Sequence, residues 1–274
     1  MNVRYDFQDR VVIVTGAARG VGREIVHQFI HTGAKVVAAD RDAQGLEETC
    51  AGQGSAVVSI TEDISTESGA AAIVRTAVDN FGRLDVCVNN AAVAPHEALL
   101  EERVEVWDTV HGVNARGTFL MTQAAGRALV AQEQGGRIIN FSSGVSNRGS
   151  AGSAAYASSR AATESFTRVA AIEFAPHNIL VNCVSPGLID TQPKPLPPSM
   201  EQGLAKRIPT LPLARPGEPA EVAQLVLWLA SDASSYVTGA IYTVDGGAGV
   251  GVRPSSSIVD EDIRYDWVTG RKRD

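Results

Sequence analysis

The chain has 274 residues, a formal net charge of −7, 44% hydrophobic and 20% charged residues, which excludes a disordered chain. The acidic balance argues against a nucleic-acid partner, since such binders carry a basic face and the nearest basic run here is the short Arg271-Lys272-Arg273. Three cysteines, Cys50, Cys87 and Cys183, without a CxxC or Cys/His cluster exclude a disulfide framework and leave no metal site, and the five histidines lack metal-ligand spacing. No signal-like h-region opens the chain and no apolar run reaches the ~18 residues of a membrane span, so a cytoplasmic protein with no membrane partner is expected.

In chain order, the first apolar run, Val11–Thr15, reads as a strand and leads into Thr15-Gly16-Ala17-Ala18-Arg19-Gly20-Val21-Gly22, followed by a helix over 20–32. Glycines at 16, 20 and 22 permit a tight turn. They let backbone N–H groups and a helix N-terminus approach a pyrophosphate. The second strand, 35–39, ends at Asp40, a carboxylate placed to hold ribose hydroxyls and repel a 2′-phosphate; Arg19 and Arg41 would favour that phosphate, and Asp40 outweighs them. A helix over 42–50 and a strand over 56–60 follow, closed by Asp63-Ile64, where an Asp can meet an adenine amino group or cap a helix.

Further on, helices over 66–81, 102–112, 115–132, 153–175 and 218–231 alternate with strands over 84–89, Gly136–Phe141, 180–185 and 240–244. The strands are nearly continuous in apolar residues, as strands buried on both faces are. Strict alternation predicts an α/β fold: one domain over 1–251, with a doubly wound, mostly parallel sheet and helices on both faces. Seven prolines between 193 and 216 predict a lid or binding loop over about 190–216, with no long helix. Residues 252–274 read as a C-terminal tail, apolar enough at Ile258, Ile263, Tyr265 and Trp267 to dock rather than float.

Four motifs now stand in order: Gly16-x-x-x-Gly20-x-Gly22, Asn89-Asn90-Ala91-Ala92, Tyr156-x-x-x-Arg160 and Pro186-Gly187-x-Ile189-x-Thr191. Together they resemble the short-chain dehydrogenase/reductase family over about residues 7–251. The resemblance implies a seven-stranded Rossmann sheet, an NAD or NADP cofactor and a homo-oligomer, usually a tetramer. It adds Asn90 and Pro186-Gly187 to the cofactor residues, with the Ile189 backbone on the carboxamide and Thr191 on a phosphate.

By the same resemblance, the catalytic tetrad is Asn114, Ser143, Tyr156 and, where the family has Lys, Arg160. The spacing puts Arg160 one helical turn after Tyr156. A tyrosine titrating near ~10 needs about 4 kcal/mol of phenolate stabilisation to serve as a base near neutral pH, and a neighbouring cation supplies it. Ser143 would polarise the substrate oxygen, and Asn114 would hold a water linking the site to solvent. The expected activity is NAD-preferring oxidation of a secondary alcohol or reduction of a ketone. Asn147, Arg148 and His96 make a polar, polyol or sugar-like small molecule the expected substrate. The alternative is an NAD-binding protein with little turnover, because Arg160 cannot pass a proton.

Overall fold

The computed structural model describes residues 5–191 and 195–253, and beyond them the short strands Tyr265–Asp266 and Arg271–Lys272. Seven strands form one parallel sheet: β1 (Val11–Thr15), β2 (Lys35–Asp40), β3 (Val57–Thr61), β4 (Val86–Asn89), β5 (Gly136–Phe141), β6 (Ile179–Pro186) and β7 (Ile241–Val244). Their order is β3-β2-β1-β4-β5-β6-β7. The chain therefore reverses direction across the sheet between β1 and β4, and the crevice beyond their carboxyl ends is where such folds bind ligands.

The core lies on both faces because side chains alternate along each strand. In β1, Val12 and Val14 pack with Phe29 and Ile25 of α1 (Gly20–His31), Leu46 of α2 (Ala43–Cys50) and Val226 of α8 (Pro219–Ala230). Val11 and Ile13 face the other way. They meet Ile73 of α3 (Glu67–Phe81) and Met121 and Leu129 of α5 (Thr118–Gln132). Cys87 and Cys183 are buried and burial pushes both thiols up to about 12, so they are inert as expected.

Two segments differ from the sequence reading. The helices expected over 102–112 and 115–132 are one continuous rod: α4 (Val104–His111) passes through a π-helical turn over 112–117 into α5. The wide turn persists because it lets the buried Asn114 side chain reach out of the helix to the Val93 backbone. Inside the lid, a ten-residue helix, α7 (Pro198–Arg207), forms where a loop was expected. Its proline sits in the first turn, where no amide donor is needed, and residues 199–207 lack proline. The longest helix, α6 (Ala154–Phe174), runs beside β5 and β6 and carries Tyr156. The tail strands Tyr265–Asp266 (β8) and Arg271–Lys272 (β9) pair antiparallel; the apolar tail residues expected to dock lie outside the described side chains.

Candidate active site

A cleft of about 830 Å³ opens at the carboxyl ends of β1, β2, β4, β5 and β6, large enough for a dinucleotide. Its floor is the turn between β1 and α1. Gly16 has φ +68°, and a β-carbon there would stand 2.7 Å from the Ala91 Cα, so only glycine fits. Gly22 is tighter still, its added β-carbon 2.0 Å from the Gly16 carbonyl. No side chain caps α1, and Arg19 at its N-cap is exposed, so the first-turn amides face the cleft uncapped. These cramped glycines and free amides fit the pyrophosphate of a dinucleotide.

Gly16, Arg19, Gly20, Val21, Gly22, Asp40, Asp63, Ile64, Asn90, Pro186, Gly187 and Thr191, expected from sequence to hold a cofactor, all line one cleft. Several do more than line it. Asp40 accepts from the amides of Ala18 (3.0 Å), Arg41 (2.7 Å) and Asp42 (3.1 Å), so its carboxylate braces the turn from the cleft wall. Asn90 donates its amide to the carbonyls of Thr15 (2.9 Å) and Gly16 (3.1 Å), which makes it a support of the turn. Asp63 accepts from the Ser65 amide at 2.9 Å and lies 3.8 Å from Arg41. Burial pushes its carboxyl up, but the Ser65 bonds and the Arg41 charge outweigh that and hold it below its ordinary value. Thr191 stands across the cleft from Gly20, where an added β-carbon would lie 3.3 Å from the Thr191 Cβ.

Ile189 departs from expectation in part: it does not line the cleft, and its side chain packs on the core. Its backbone bridges Gly217: Asp190 donates to the Gly217 carbonyl and Gly217 to the Leu188 carbonyl, both at 2.8 Å. That pattern turns the amide and carbonyl of Ile189 itself to the opposite side, away from Gly217.

At the far end, Ser143, Tyr156 and Arg160 line one wall. The Arg160 side chain is only 3% exposed. Its Nη1 donates to the Phe141 carbonyl at 2.8 Å, and its Cζ lies 5.2 Å from the centroid of the Tyr156 ring. Its Nε is buried with no hydrogen-bond partner, a donor left over for a bound group. Burial pushes the Tyr156 phenol up; the Arg160 charge and hydrogen bonds with Arg160 and Ser143 outweigh it, so the phenol sits below its ordinary value.

The fourth tetrad residue, Asn114, is fully buried and does not line the cleft. Its Oδ1 accepts from the Val93 amide at 2.9 Å, and its Nδ2 donates to the Val93 carbonyl (2.9 Å) and Ser159 Oγ (3.1 Å). The amide is thus committed to the β4–α4 loop and to α6, a structural clasp behind Tyr156.

Sequence reasoning missed Glu164, one turn beyond Arg160 on α6. It accepts from Ser142 Oγ at 2.7 Å and from Ser146 Oγ, so it grips the chain on both sides of Ser143. The i,i+4 spacing from Arg160 was the available signal. His96 is exposed and bonded through Nδ1 to Ser153 Oγ (3.1 Å), away from the cleft. His27, expected at the surface, is half-buried, its Nε2 at 3.0 Å from the Thr49 carbonyl. No cluster of metal-ligating side chains, and no helix long and apolar enough to cross a membrane, occurs among the described residues.

Comparison with known proteins agrees with this architecture. Residues 16–249 match the family described as enoyl-(acyl carrier protein) reductase. A (2S)-[(R)-hydroxy(phenyl)methyl]succinyl-CoA dehydrogenase subunit from Thauera aromatica is 38% identical over 244 residues, covering 88% of this chain and 96% of that protein. A 3-oxoacyl-(acyl-carrier-protein) reductase from Thermotoga maritima is 37% identical, covering 88% and 98%. The crystal structure of a putative short-chain alcohol dehydrogenase from Sinorhizobium meliloti superimposes with a TM-score of 0.85 at 31% identity, over 91% of this chain and all of that one. With a glycine-floored cleft, a Ser-Tyr wall and relatives aligned along nearly their whole length, the chain belongs to the short-chain dehydrogenase/reductase family of oxidoreductases.

Proposed function

We propose that the protein interconverts a secondary alcohol and a ketone with NAD as the preferred cofactor. The observation that carries this reading is the buried Arg160 guanidinium 5.2 Å from the Tyr156 ring, which with Ser143 holds the phenol below its ordinary value in the wall of the cleft. Tyr156 as phenolate accepts the hydroxyl proton of the alcohol, and Ser143 donates a hydrogen bond to the same oxygen. The nicotinamide, when bound, supplies the acceptor for the hydride that leaves the carbinol carbon. Gly16, Gly20 and Gly22 would hold the pyrophosphate, Asp40 the adenosine ribose, Asp63 and Ile64 the adenine, and Pro186, Gly187, the Ile189 backbone and Thr191 the nicotinamide half. A carboxylate at position 40 repels a 2′-phosphate, which favours NAD over NADP. The relatives named above as a dehydrogenase of a hydroxy compound and a reductase of an oxoacyl group support the same interconversion.

Residues 1–251 are read as one catalytic domain and 252–274 as a tail, in a cytoplasmic homo-oligomer. The outer face of α5 and α6 supports the oligomer. It carries an apolar groove of about 460 Å³ that includes Phe119, Val130, Phe166 and Val169, with Phe119 41% and Val169 49% exposed. The test is Tyr156→Phe in a screen of alcohols and ketones, together with NAD and NADP titration. Turnover should vanish while NAD affinity stays near the parent's. A Tyr156→Phe variant as active as the parent refutes the catalytic reading, tighter NADP binding refutes the cofactor preference, and NAD binding without turnover in the parent supports a binding protein instead.

A further inference from the structure

The catalytic wall is assembled from two elements. Ser143 follows β5 and is carried by the sheet: the Ser142 amide donates to the Val184 carbonyl at 2.8 Å and the Gly144 amide to the Pro186 carbonyl at 3.2 Å. Tyr156 is carried by α6. A hydroxyl and a phenol bond only when their oxygens stand within about 3 Å, so sheet and helix must be held in register at this one place.

Tyr156, Arg160 and Glu164 follow one another at four-residue intervals and share one face of α6. That face grips residues 141–146. Arg160 Nη1 donates to the Phe141 carbonyl at 2.8 Å, and Glu164 Oε1 accepts from Ser142 Oγ at 2.7 Å and from Ser146 Oγ. The two serines flank Ser143, whose carbonyl accepts from the Ser146 amide at 2.9 Å and closes the turn. Ser142 is buried and Glu164 half-buried. Among the described residues no cation pairs with Glu164, so the carboxylate serves the two hydroxyls. Such charge-assisted bonds are roughly twice as strong as neutral ones.

We infer that Glu164 is a positioning residue for the reaction: it straps the 142–146 turn to α6 and so sets the Ser143 hydroxyl against the Tyr156 phenol. Glu164 does not line the cleft, so it acts through Ser143 alone. The inference rests on the roles proposed above for Ser143 and Tyr156 and names what holds them together. Burial raises the Tyr156 phenol, and the Arg160 charge and hydrogen bonds with Arg160 and Ser143 outweigh it. Loosening the turn withdraws the Ser143 bond from the phenolate, so the phenol titrates at higher pH. Loss of the Glu164 charge by itself has the opposite sign, because removing a nearby carboxylate favours phenolate.

The test reads the phenol directly and needs no turnover. Phenolate absorbance of the full chain is followed from about pH 6 to 11, and the titration of the matching Tyr156→Phe protein is subtracted to isolate Tyr156. Glu164→Leu should lower the phenolate-to-phenol ratio at fixed pH by about tenfold, as expected for one lost hydrogen bond to a charged group. Glu164→Gln keeps an oxygen for both serines and should not move the titration to higher pH. In a Ser143→Ala background, Glu164→Leu should move it no further upward, since the residue through which Glu164 acts is gone. Ser146→Ala removes one strand of the strap and is the milder variant if Glu164→Leu does not fold; it should shift the titration upward only where Ser143 is present. A titration unchanged by these variants, or raised equally with and without the Ser143 hydroxyl, overturns the inference. Failure of the oxidoreductase reading registers separately, as a parent with this Ser143-dependent titration that turns over no alcohol or ketone.

Discussion

Arg160→Met removes the charge beside Tyr156 while keeping a long side chain in a slot where the native residue is 3% exposed. The guanidinium carbon lies 5.2 Å from the Tyr156 ring centroid. At an effective dielectric of about 20, a unit charge at that distance is worth about 3 kcal/mol, roughly 10²-fold in the phenolate-to-phenol ratio at fixed pH. The sign follows from which form works. Alcohol oxidation needs phenolate, and the native phenol sits below its ordinary value because of Arg160 and Ser143 despite burial. Removing the cation raises it, so the rising limb of kcat/KM against pH moves to higher pH. Activity near neutrality falls by about 10²-fold and returns on the alkaline side. Arg160→Lys keeps the charge, so the limb stays near its native position, and kcat should rise because an ammonium passes protons that a guanidinium does not. The assay is alcohol oxidation from about pH 6 to 10 with saturating NAD. An Arg160→Met limb that coincides with the parent's would refute the assignment of Tyr156 as a base tuned by this charge.

Three further outcomes are expected. Gly22→Ala places a β-carbon 2.0 Å from the Gly16 carbonyl. It should lower stability by about 1–3 kcal/mol or more and weaken NAD binding, read by thermal unfolding and fluorescence titration. Glu164→Leu strips the acceptor from the hydroxyls of Ser142 and Ser146, at a cost of about 1–3 kcal/mol in stability and with a drop in kcat as Ser143 loosens; Glu164→Gln should retain most of both. Light scattering at micromolar concentration should give a multiple of the 28.8 kDa chain, and Val169→Glu on the α6 face should shift it toward monomer.

Much of the fold was legible because both determinants are local. A doubly buried parallel strand needs a continuous apolar run, as in β1 and the middle of β2, and the glycines at 16 and 22 mark a turn with no room for a β-carbon. Charge and residue type along the chain likewise placed Asp40 at a strand end and Arg160 one turn after Tyr156. What tertiary structure alone decided were partnerships between residues distant in sequence. Asn114 is spent on Val93 and Ser159, Asn90 on the carbonyls of Thr15 and Gly16, Glu164 on Ser142 and Ser146, and Arg148 on Ala248. The π-turn that brings Asn114 to the Val93 backbone belongs to the same class. A hydrogen bond needs its two atoms within about 3 Å at a defined angle, and no spacing rule along one segment specifies where a second segment brings its carbonyl.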